Sequence, residues 1–266
     1  MKISALISDV DGTLVTHDKV LTPRTREAVA ALQDRGIRFA AISGRPPRGM
    51  RMLVEPLALS GPIAGFNGGL ITNPDLSPIE EHALAPQAAR QAYELLRGWG
   101  LDVWVFSGLE WLLTTPDGSR VAGEINTVLY QPLVVNEFDG ALEAAYKIVG
   151  VSDDPGFLAR CETDAQAALG DAASASRSQP FYLDITHPAA NKGIGVQRLA
   201  ALMGVPMAEV AVIGDSYNDL GMFSQSALSI AMGNAPADVQ RQARFVTSSS
   251  EEDGFARAVH DYILGA

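Results

Sequence analysis

Short apolar runs that end abruptly in polar residues occur near both ends of the chain. Residues 3–7 form the first run, which stops at the sequence DVDG. A second run, at residues 37–42, stops at SGR, and a later one, at residues 210–213, stops at GD. This pattern is typical of buried strands that carry polar side chains to one edge of a sheet.

Helical patterns separate these runs. Thr22 suits an N-cap, Pro23 the first helical turn and Gly36 the position that ends a helix. Apolar residues at helical spacing predict a second helix over residues 48–59, and residues 62–66 predict a third strand. Strands that alternate with helices pair in parallel through right-handed crossovers, so this part of the chain is predicted to be α/β.

The rhythm changes near residue 82 and returns at residue 191. Between them, the pattern predicts a helix at 85–99, strands at 103–106 and 111–114, an apolar segment at 144–151, a helix at 155–169, a loop at 170–179 and a strand at 181–186. From residue 191, helices and strands alternate again up to a final helix at 252–264. We therefore predict an α/β core of residues 1–82 and 188–266, interrupted by an inserted α+β domain of residues 83–187.

Composition narrows the functional classes. The 266 residues carry a net charge of −11, which disfavours nucleic acid as a partner. Cys161 is the only cysteine, so an intrachain disulfide and a cysteine-based metal cluster are excluded. The first apolar run is too short and too acidic for a signal peptide, and no apolar stretch approaches the roughly 20 residues of a membrane span. We expect a soluble cytoplasmic protein.

Polar groups follow several of the predicted strands or begin a helix. They are Asp9, Asp11, Ser43, Lys192, Asp215, Asn218 and Asp219. The carboxyl ends of neighbouring parallel strands form the ligand crevice of an open sheet, so we expect these groups to converge there. Each alone has an ordinary explanation, such as a solvated Asp-Gly turn, a Ser-Gly turn, a surface lysine or a carboxylate at a helix start. Their order and spacing as a set favour a site, and converging carboxylates suit Mg²⁺.

Four motifs resemble those of the haloacid dehalogenase-like hydrolases. They are DVDGTLV (residues 9–15), ISGR (42–45), NKG (191–193) and GDSYND (214–219). Because the insertion lies between the second and third motifs, the chain is most similar to the Cof-type sugar-phosphatase branch. This resemblance implies a Rossmann-like parallel-sheet core with a mobile inserted cap domain, Mg²⁺ dependence and hydrolysis of phosphate monoesters. The expected partner is a small phosphorylated metabolite.

Chemistry and the resemblance together suggest residue roles. Asp9 would be the nucleophile that forms an aspartyl-phosphate, and Asp11 the general acid and base. Ser43 would hydrogen-bond a phosphoryl oxygen, while Lys192 balances charge. Mg²⁺ would be held by the Asp9 carboxylate, the Asp11 backbone carbonyl and Asp215. In a second layer, Asn218 and Asp219 would orient the water ligands and Lys192.

Weaker substrate-binding candidates are Gly44, Asn67, Asn191 and Asp184. An ordinary Asn-Gly turn explains Asn67 equally well, and a solvated strand position is the preferred interpretation of Asp184. Trp104 and Trp111 are predicted to lie in the core of the inserted domain. The four histidines show no ligand spacing and receive no role.

Three alternative functions are less favoured than the phosphatase. A dehalogenase has no use for Asp11, because a halide leaves without a proton. A sugar phosphomutase must hold a second phosphate in its cap, yet residues 84–186 contain six basic and fourteen acidic residues, although two well-placed arginines would suffice. A catalytically idle regulator on the same fold is disfavoured by the complete motif set.

Overall fold

The computed structural model describes residues 2–265. Its first part contains the elements β1 Ala5–Ser8, α1 Pro23–Asp34, β2 Arg38–Ala41, β3 Ile63–Gly65, β4 Leu70–Thr72 and β5 Pro78–Glu81. The Thr22 hydroxyl accepts a hydrogen bond from the Thr25 amide, so this residue caps α1 as its sequence predicts.

The predicted helix over residues 48–59 is wrong. Residues Pro47–Leu53 form a 3₁₀ segment instead, and turns follow it. Pro56 explains the interruption, because it has no amide hydrogen to donate and disfavours the helical conformation of the residue before it.

The inserted region contains both helices and an antiparallel-rich sheet. Its elements are α2 Pro86–Gly98, β6 Asp102–Ser107, β7 Glu110–Leu113, α3 Val121–Val128, β8 Leu133–Val134, α4 Asp139–Leu142, β9 Ala145–Val151, α5 Pro155–Leu169, β10 Ser174–Gln179 and β11 Tyr182–Thr186. The loop predicted at 170–179 is therefore wrong, since most of it is a strand. This strand, β10, is almost entirely polar and pairs with β11 at the edge of the sheet. Most of its side chains are exposed there, so the sequence lacks the apolar residues by which a strand is recognised.

The last part returns to the α/β rhythm. It contains α6 Lys192–Leu202, β12 Val210–Gly214, α7 Leu220–Gln225, β13 Leu228–Ala231, α8 Ala237–Gln240, β14 Phe245–Val246 and α9 Gly254–Ala258, which continues into a π-helical turn, Val259–Leu264. The predicted last helix at 252–264 therefore starts later, because Ser250–Glu252 form a 3₁₀ turn and Asp253 is left-handed, and from Gly254 it is divided into an α-helical and a π-helical segment.

The core sheet is parallel, with strand order β14-β13-β12-β1-β2. β1 pairs with β12 on one side and β2 on the other, and all four of its residues are buried. The predicted third strand is present, but its parallel contact is a single bridge, between Ala64 and Ile42 directly after β2, and it otherwise pairs antiparallel with β4. The α/β fold class with a Rossmann-like core is confirmed.

The inserted region forms a separate six-stranded sheet of order β10-β11-β9-β6-β7-β8. Trp104 and Trp111 are buried on one face of it, as predicted. The two segments that join it to the core run side by side, with the rings of His82 and His187 centred 5.5 Å apart. We call this region the cap; its limits at residues 83 and 187 stay a prediction.

The cap packs directly on the core above the carboxyl end of β1. Phe66, which follows β3, stacks on Tyr146 of the cap with ring centres 5.7 Å apart and planes inclined by 7°. Arg48 of the core pairs with Glu110 of the cap at 2.8 Å. These contacts enclose the space between the two sheets.

Each helix within residues 2–265 is too short or too polar to span a membrane.

Candidate active site

Asp9 stands where β1 ends, and Lys192 reaches it from the start of α6. The Asp9 amide donates to the Ile213 carbonyl at 2.9 Å, which holds the residue against β12. The Lys192 ammonium donates to Asp9 Oδ1 at 2.6 Å and to Asp219 Oδ1 at 2.6 Å. Lys192 is 1% exposed, so its charge depends on these two carboxylates.

Asp219 organises the loop after β12. Its Oδ2 accepts hydrogen bonds from the amides of Asp215 and Ser216, both at 2.8 Å. Both of its oxygens are therefore engaged by protein donors. This geometry suits a residue that orients Lys192 and the Asp215 backbone.

Asp215 faces Asp9 across the strand ends. Oxygens of Asp9, Asp215 and Asp219 all lie within 4.8 Å of one another. Asp215 accepts hydrogen bonds from Thr13 Oγ1 at 3.3 Å and from Asn234 Nδ2 at 3.1 Å. Neither donor is charged, so neither neutralises this carboxylate.

The electrostatics of these carboxylates fit a divalent cation. Burial raises the pKa of Asp9 well above its usual value, with Asp219 and Asp215 adding to the rise and Lys192 opposing it. Burial and then the charge of Asp219 raise the pKa of Asp215 to about 6. A cation between Asp9 and Asp215 would favour their ionised forms, and hard oxygen ligands suit such an ion. Asp219 is less suited as a ligand because Lys192 and two amides already occupy it.

Asp11 belongs to a different network, which the sequence pattern did not predict. Arg45 donates through Nε to Asp11 Oδ2 at 2.7 Å and through Nη2 to Oδ1 at 2.6 Å, and Lys19 Nζ lies 2.6 Å from Oδ1. Burial acts to raise the pKa of Asp11, but Arg45 and Lys19 together lower it below its usual value. Asp11 is therefore ionised at neutral pH in this arrangement.

Ser43 and Asn67 line the same crevice from the side of β2. Ser43 is buried, and its Oγ accepts from the Arg45 amide at 3.1 Å. The backbone amide of Asn67 donates to the backbone carbonyl of Ser43 at 2.7 Å. The side chain of Asn218 donates to Asn67 Oδ1 at 3.3 Å, so the structure joins Asn218 to this pair and not to Lys192.

A cavity of about 440 Å³ lies between core and cap. Core residues on its wall include Asp9, Asp11, Ser43, Gly44, Asn67, Asp215 and Asn218; cap residues include Arg120, Glu124, Lys147, Tyr182 and Asp184. Asp184 is 7% exposed, which corrects its preferred interpretation as a solvated strand residue. Neighbouring strands of the cap sheet bury it against Lys147.

Asn191 is the predicted substrate-binding residue that the structure places elsewhere. Its Oδ1 accepts from the Ile194 amide at 2.9 Å and caps α6, and the residue is not on the cavity wall. An asparagine directly before a helix satisfies a free amide there. Its contribution is to fix the helix start that carries Lys192.

Comparison with known proteins agrees with this geometry. A model of the family described as haloacid dehalogenase-like hydrolase matches residues 6–259. The chain belongs to the haloacid dehalogenase-like hydrolases. Its cap, inserted between the second and third motifs, places this hydrolase in the Cof-type branch.

Individual relatives extend over most of this hydrolase. The HMP-PP phosphatase of Cronobacter sakazakii is 29% identical over 230 residues, covering 85% of this chain and 83% of its own. A haloacid dehalogenase-like hydrolase of Bacteroides thetaiotaomicron is 29% identical, with a TM-score of 0.89 over 97% of this chain and 99% of its own. A subclass IIB sugar phosphatase, 20% identical, shares the fold with a TM-score of 0.85 over 97% and 98%. Family and relatives identify the chain as a phosphatase.

Several site residues had no predicted role, among them Lys19, Arg45, Glu124 and Lys147. Arg45 had a signal, since it directly follows Ser43-Gly44 in the second motif. Lys19 lies in an irregular segment, and the two cap residues lie far from any motif. Only the packing of the cap on the core brings these last two beside Asp11 and Ser43.

Gly12 provides a test of the carboxylate geometry. It has φ +73°, and an added Cβ would lie 2.5 Å from Asp215 Oδ2. Gly12→Ala should therefore displace Asp215 and raise the cation concentration needed for half-maximal activity by about tenfold or more. The measurement is a titration of activity with Mg²⁺.

Gly36→Ala is the matched control. Gly36 has φ +72°, but nothing lies within 4 Å of an added Cβ. Both variants share the backbone strain of a left-handed alanine, about 1 kcal/mol, but only Gly12→Ala adds a close contact with Asp215. Equal cation requirements in the two variants would show that Asp215 takes no part in metal binding.

Proposed function

We propose that this hydrolase is a Mg²⁺-dependent phosphatase of small phosphate monoesters, such as sugar phosphates, and works through an aspartyl-phosphate. The observation that carries the proposal is the arrangement around Asp9. Its carboxylate stands at the end of a buried strand, bound by the Lys192 ammonium at 2.6 Å and facing a cavity that Ser43 and Asp215 also line. A nucleophile, a cation and hydrogen-bond donors thus surround one position.

The residues divide the reaction between them. Asp9 attacks phosphorus, the ester bond breaks, and the phosphoryl group stays on Asp9 until water displaces it. Ser43 donates a hydrogen bond to a phosphoryl oxygen, and Lys192 offsets negative charge beside it. Mg²⁺, held by Asp9, Asp215 and the backbone carbonyl of Asp11, would offset the charge of the transferred group.

Asp11 has two tasks in this scheme. Arg45 and Lys19 keep it ionised in the structure, and this state suits a base that takes a proton from the attacking water in the second step. In the first step it gives a proton to the departing alkoxide. For that task it must exchange its contacts with Arg45 and Lys19 for one with the ester oxygen, and carry a proton.

The cap supports a phosphatase over a phosphomutase. A mutase needs cations in its cap for a second phosphate. Two cap cations line the cavity within the described residues, and each has an acidic partner: Lys147 lies 3.6 Å from Asp184, and Arg120 lies 2.5 Å from Asp153. Their charges are therefore already offset.

Metal dependence is the first test. Chelator should abolish hydrolysis of p-nitrophenyl phosphate, and added Mg²⁺ should restore it. Asp215→Asn should raise the Mg²⁺ requirement steeply, because one carboxylate of a sparse ligand set is lost. The exposed Asp164→Asn should leave it unchanged. Full activity in excess chelator would contradict the proposal.

Asp11→Asn tests proton donation. A sugar alkoxide needs a proton to depart, whereas p-nitrophenolate leaves without one. The variant should lose about 10² to 10⁴ in the rate of the first step on a sugar phosphate, and much less on p-nitrophenyl phosphate. The measurement is single-turnover release of the first product, because the same residue also acts in the second step.

Circular dichroism should show that Asp11→Asn is folded. An equal loss in the first step on both substrates would remove Asp11 as proton donor. It would then act through charge or metal geometry.

A further inference from the structure

Three ionisable side chains of the cap face the phosphate site across the cavity. Lys147 lies on β9, Asp184 on β11 and Glu124 on α3, and all three line the cavity wall. Their exposures are 8%, 7% and 9% respectively. Charged residues are rarely buried to this extent without a specific role in structure or binding.

Lys147 lies directly beside the second motif. Its Nζ donates to the Gly44 carbonyl at 3.4 Å and lies 4.8 Å from the ring centre of Phe106. It also lies 3.6 Å from Asp184 Oδ2. This distance is too long for a hydrogen bond, so the ammonium can still donate to other acceptors. Because Gly44 adjoins Ser43, this ammonium lies on the same side of the cavity as the hydroxyl proposed to bind the phosphoryl group.

Asp184 has an unused acceptor. Its Oδ1 is buried and has no hydrogen-bond partner among residues 2–265. A buried carboxylate oxygen without a donor is costly, and such atoms are nearly always satisfied in a functional complex. A hydroxyl group that enters the cavity can supply the missing donor.

Glu124 adds a second carboxylate to the same wall. Burial raises its pKa, the Lys147 charge opposes the rise, and Asp184 adds to it. The three side chains together offer one ammonium donor and two carboxylate acceptors. Arg120, at the same cavity, is paired with Asp153 and lies over the Phe181 ring at 4.2 Å, so its charge is already offset.

We propose that Lys147, Asp184 and Glu124 recognise the leaving group, with Lys147 donating to its hydroxyl groups and the two carboxylates accepting from them. This inference rests on the proposed phosphatase function and extends it to specificity. Two carboxylates against one ammonium disfavour a leaving group that carries a second anion. The set therefore selects neutral, hydroxyl-rich leaving groups.

Substrates of equal chain length separate these contributions. Sorbitol 6-phosphate carries hydroxyl groups, hexyl phosphate has none, and 6-phosphogluconate ends in a carboxylate. p-Nitrophenyl phosphate reports the phosphoryl-transfer machinery alone. The wild-type enzyme should have its highest kcat/KM among the three alkyl esters on sorbitol 6-phosphate.

Asp184→Asn is the central variant, since it keeps the shape and removes the charge. We expect kcat/KM on sorbitol 6-phosphate to fall about 10- to 100-fold, the range for a hydrogen bond to a charged group, while values on hexyl and p-nitrophenyl phosphate stay within about threefold. The ratio of 6-phosphogluconate to sorbitol 6-phosphate should rise. Lys147→Met should also lower kcat/KM on sorbitol 6-phosphate, and should lower it further on 6-phosphogluconate, so that this ratio falls, because the wall then keeps both carboxylates but loses the Lys147 ammonium.

The outcomes are distinct. Asp164→Asn, an exposed change on α5, should leave all four values unchanged. An equal loss on all four substrates in Asp184→Asn or Lys147→Met would overturn the inference, because the residue would then serve cap packing or the phosphoryl group itself. An unchanged preference in these variants would overturn it as well. A wild-type enzyme inactive even on p-nitrophenyl phosphate would instead overturn the phosphatase proposal on which the inference rests.

Discussion

A buried ammonium between two carboxylates is the interaction on which the site depends. Lys192 joins Asp9 at the end of β1 to Asp219 in the loop after β12, at 2.6 Å to each. If one carboxylate were removed, Lys192 would still be paired with the other. Without Lys192, the clustered carboxylates of Asp9, Asp215 and Asp219 would repel one another with no counter-charge, and loss of the single cation of a buried ion pair typically costs about 3–5 kcal/mol. The same contacts thus fix the Asp9 carboxylate and offset the negative charge around it.

Local sequence chemistry predicts the core and its strand-end residues well. A buried parallel strand needs a continuous apolar run, and the residue that follows it must reach the carboxyl edge of the sheet. For this reason the sequence pattern alone predicts that Asp9, Ser43 and Asp215 lie together. The helix cap formed by Asn191 is equally local, because its side chain bonds the Ile194 amide three residues on and therefore does not reach the cavity.

Long-range packing explains what the sequence pattern did not predict. The partners of Asp11 lie eight and thirty-four residues away, and their side chains meet it only in the folded chain. Lys147 and Asp184 lie on neighbouring strands of the cap, but their position over Ser43 depends on how Phe66 packs against Phe106 and Tyr146. An edge strand such as β10, whose sequence SASRSQ is almost entirely polar, carries no hydrophobic period, so its composition resembles a loop.

Trapping of the phosphorylated enzyme tests the account most directly. Wild-type protein mixed with labelled substrate and quenched in acid within one turnover should carry one labelled phosphoryl group, and mass spectrometry of the digested protein should locate it on Asp9. Asp9→Asn should bind Mg²⁺ less well, remain folded and carry no label. A label on another residue, or steady turnover by Asp9→Asn at a tenth or more of the wild-type rate, would contradict the assignment of Asp9 as nucleophile.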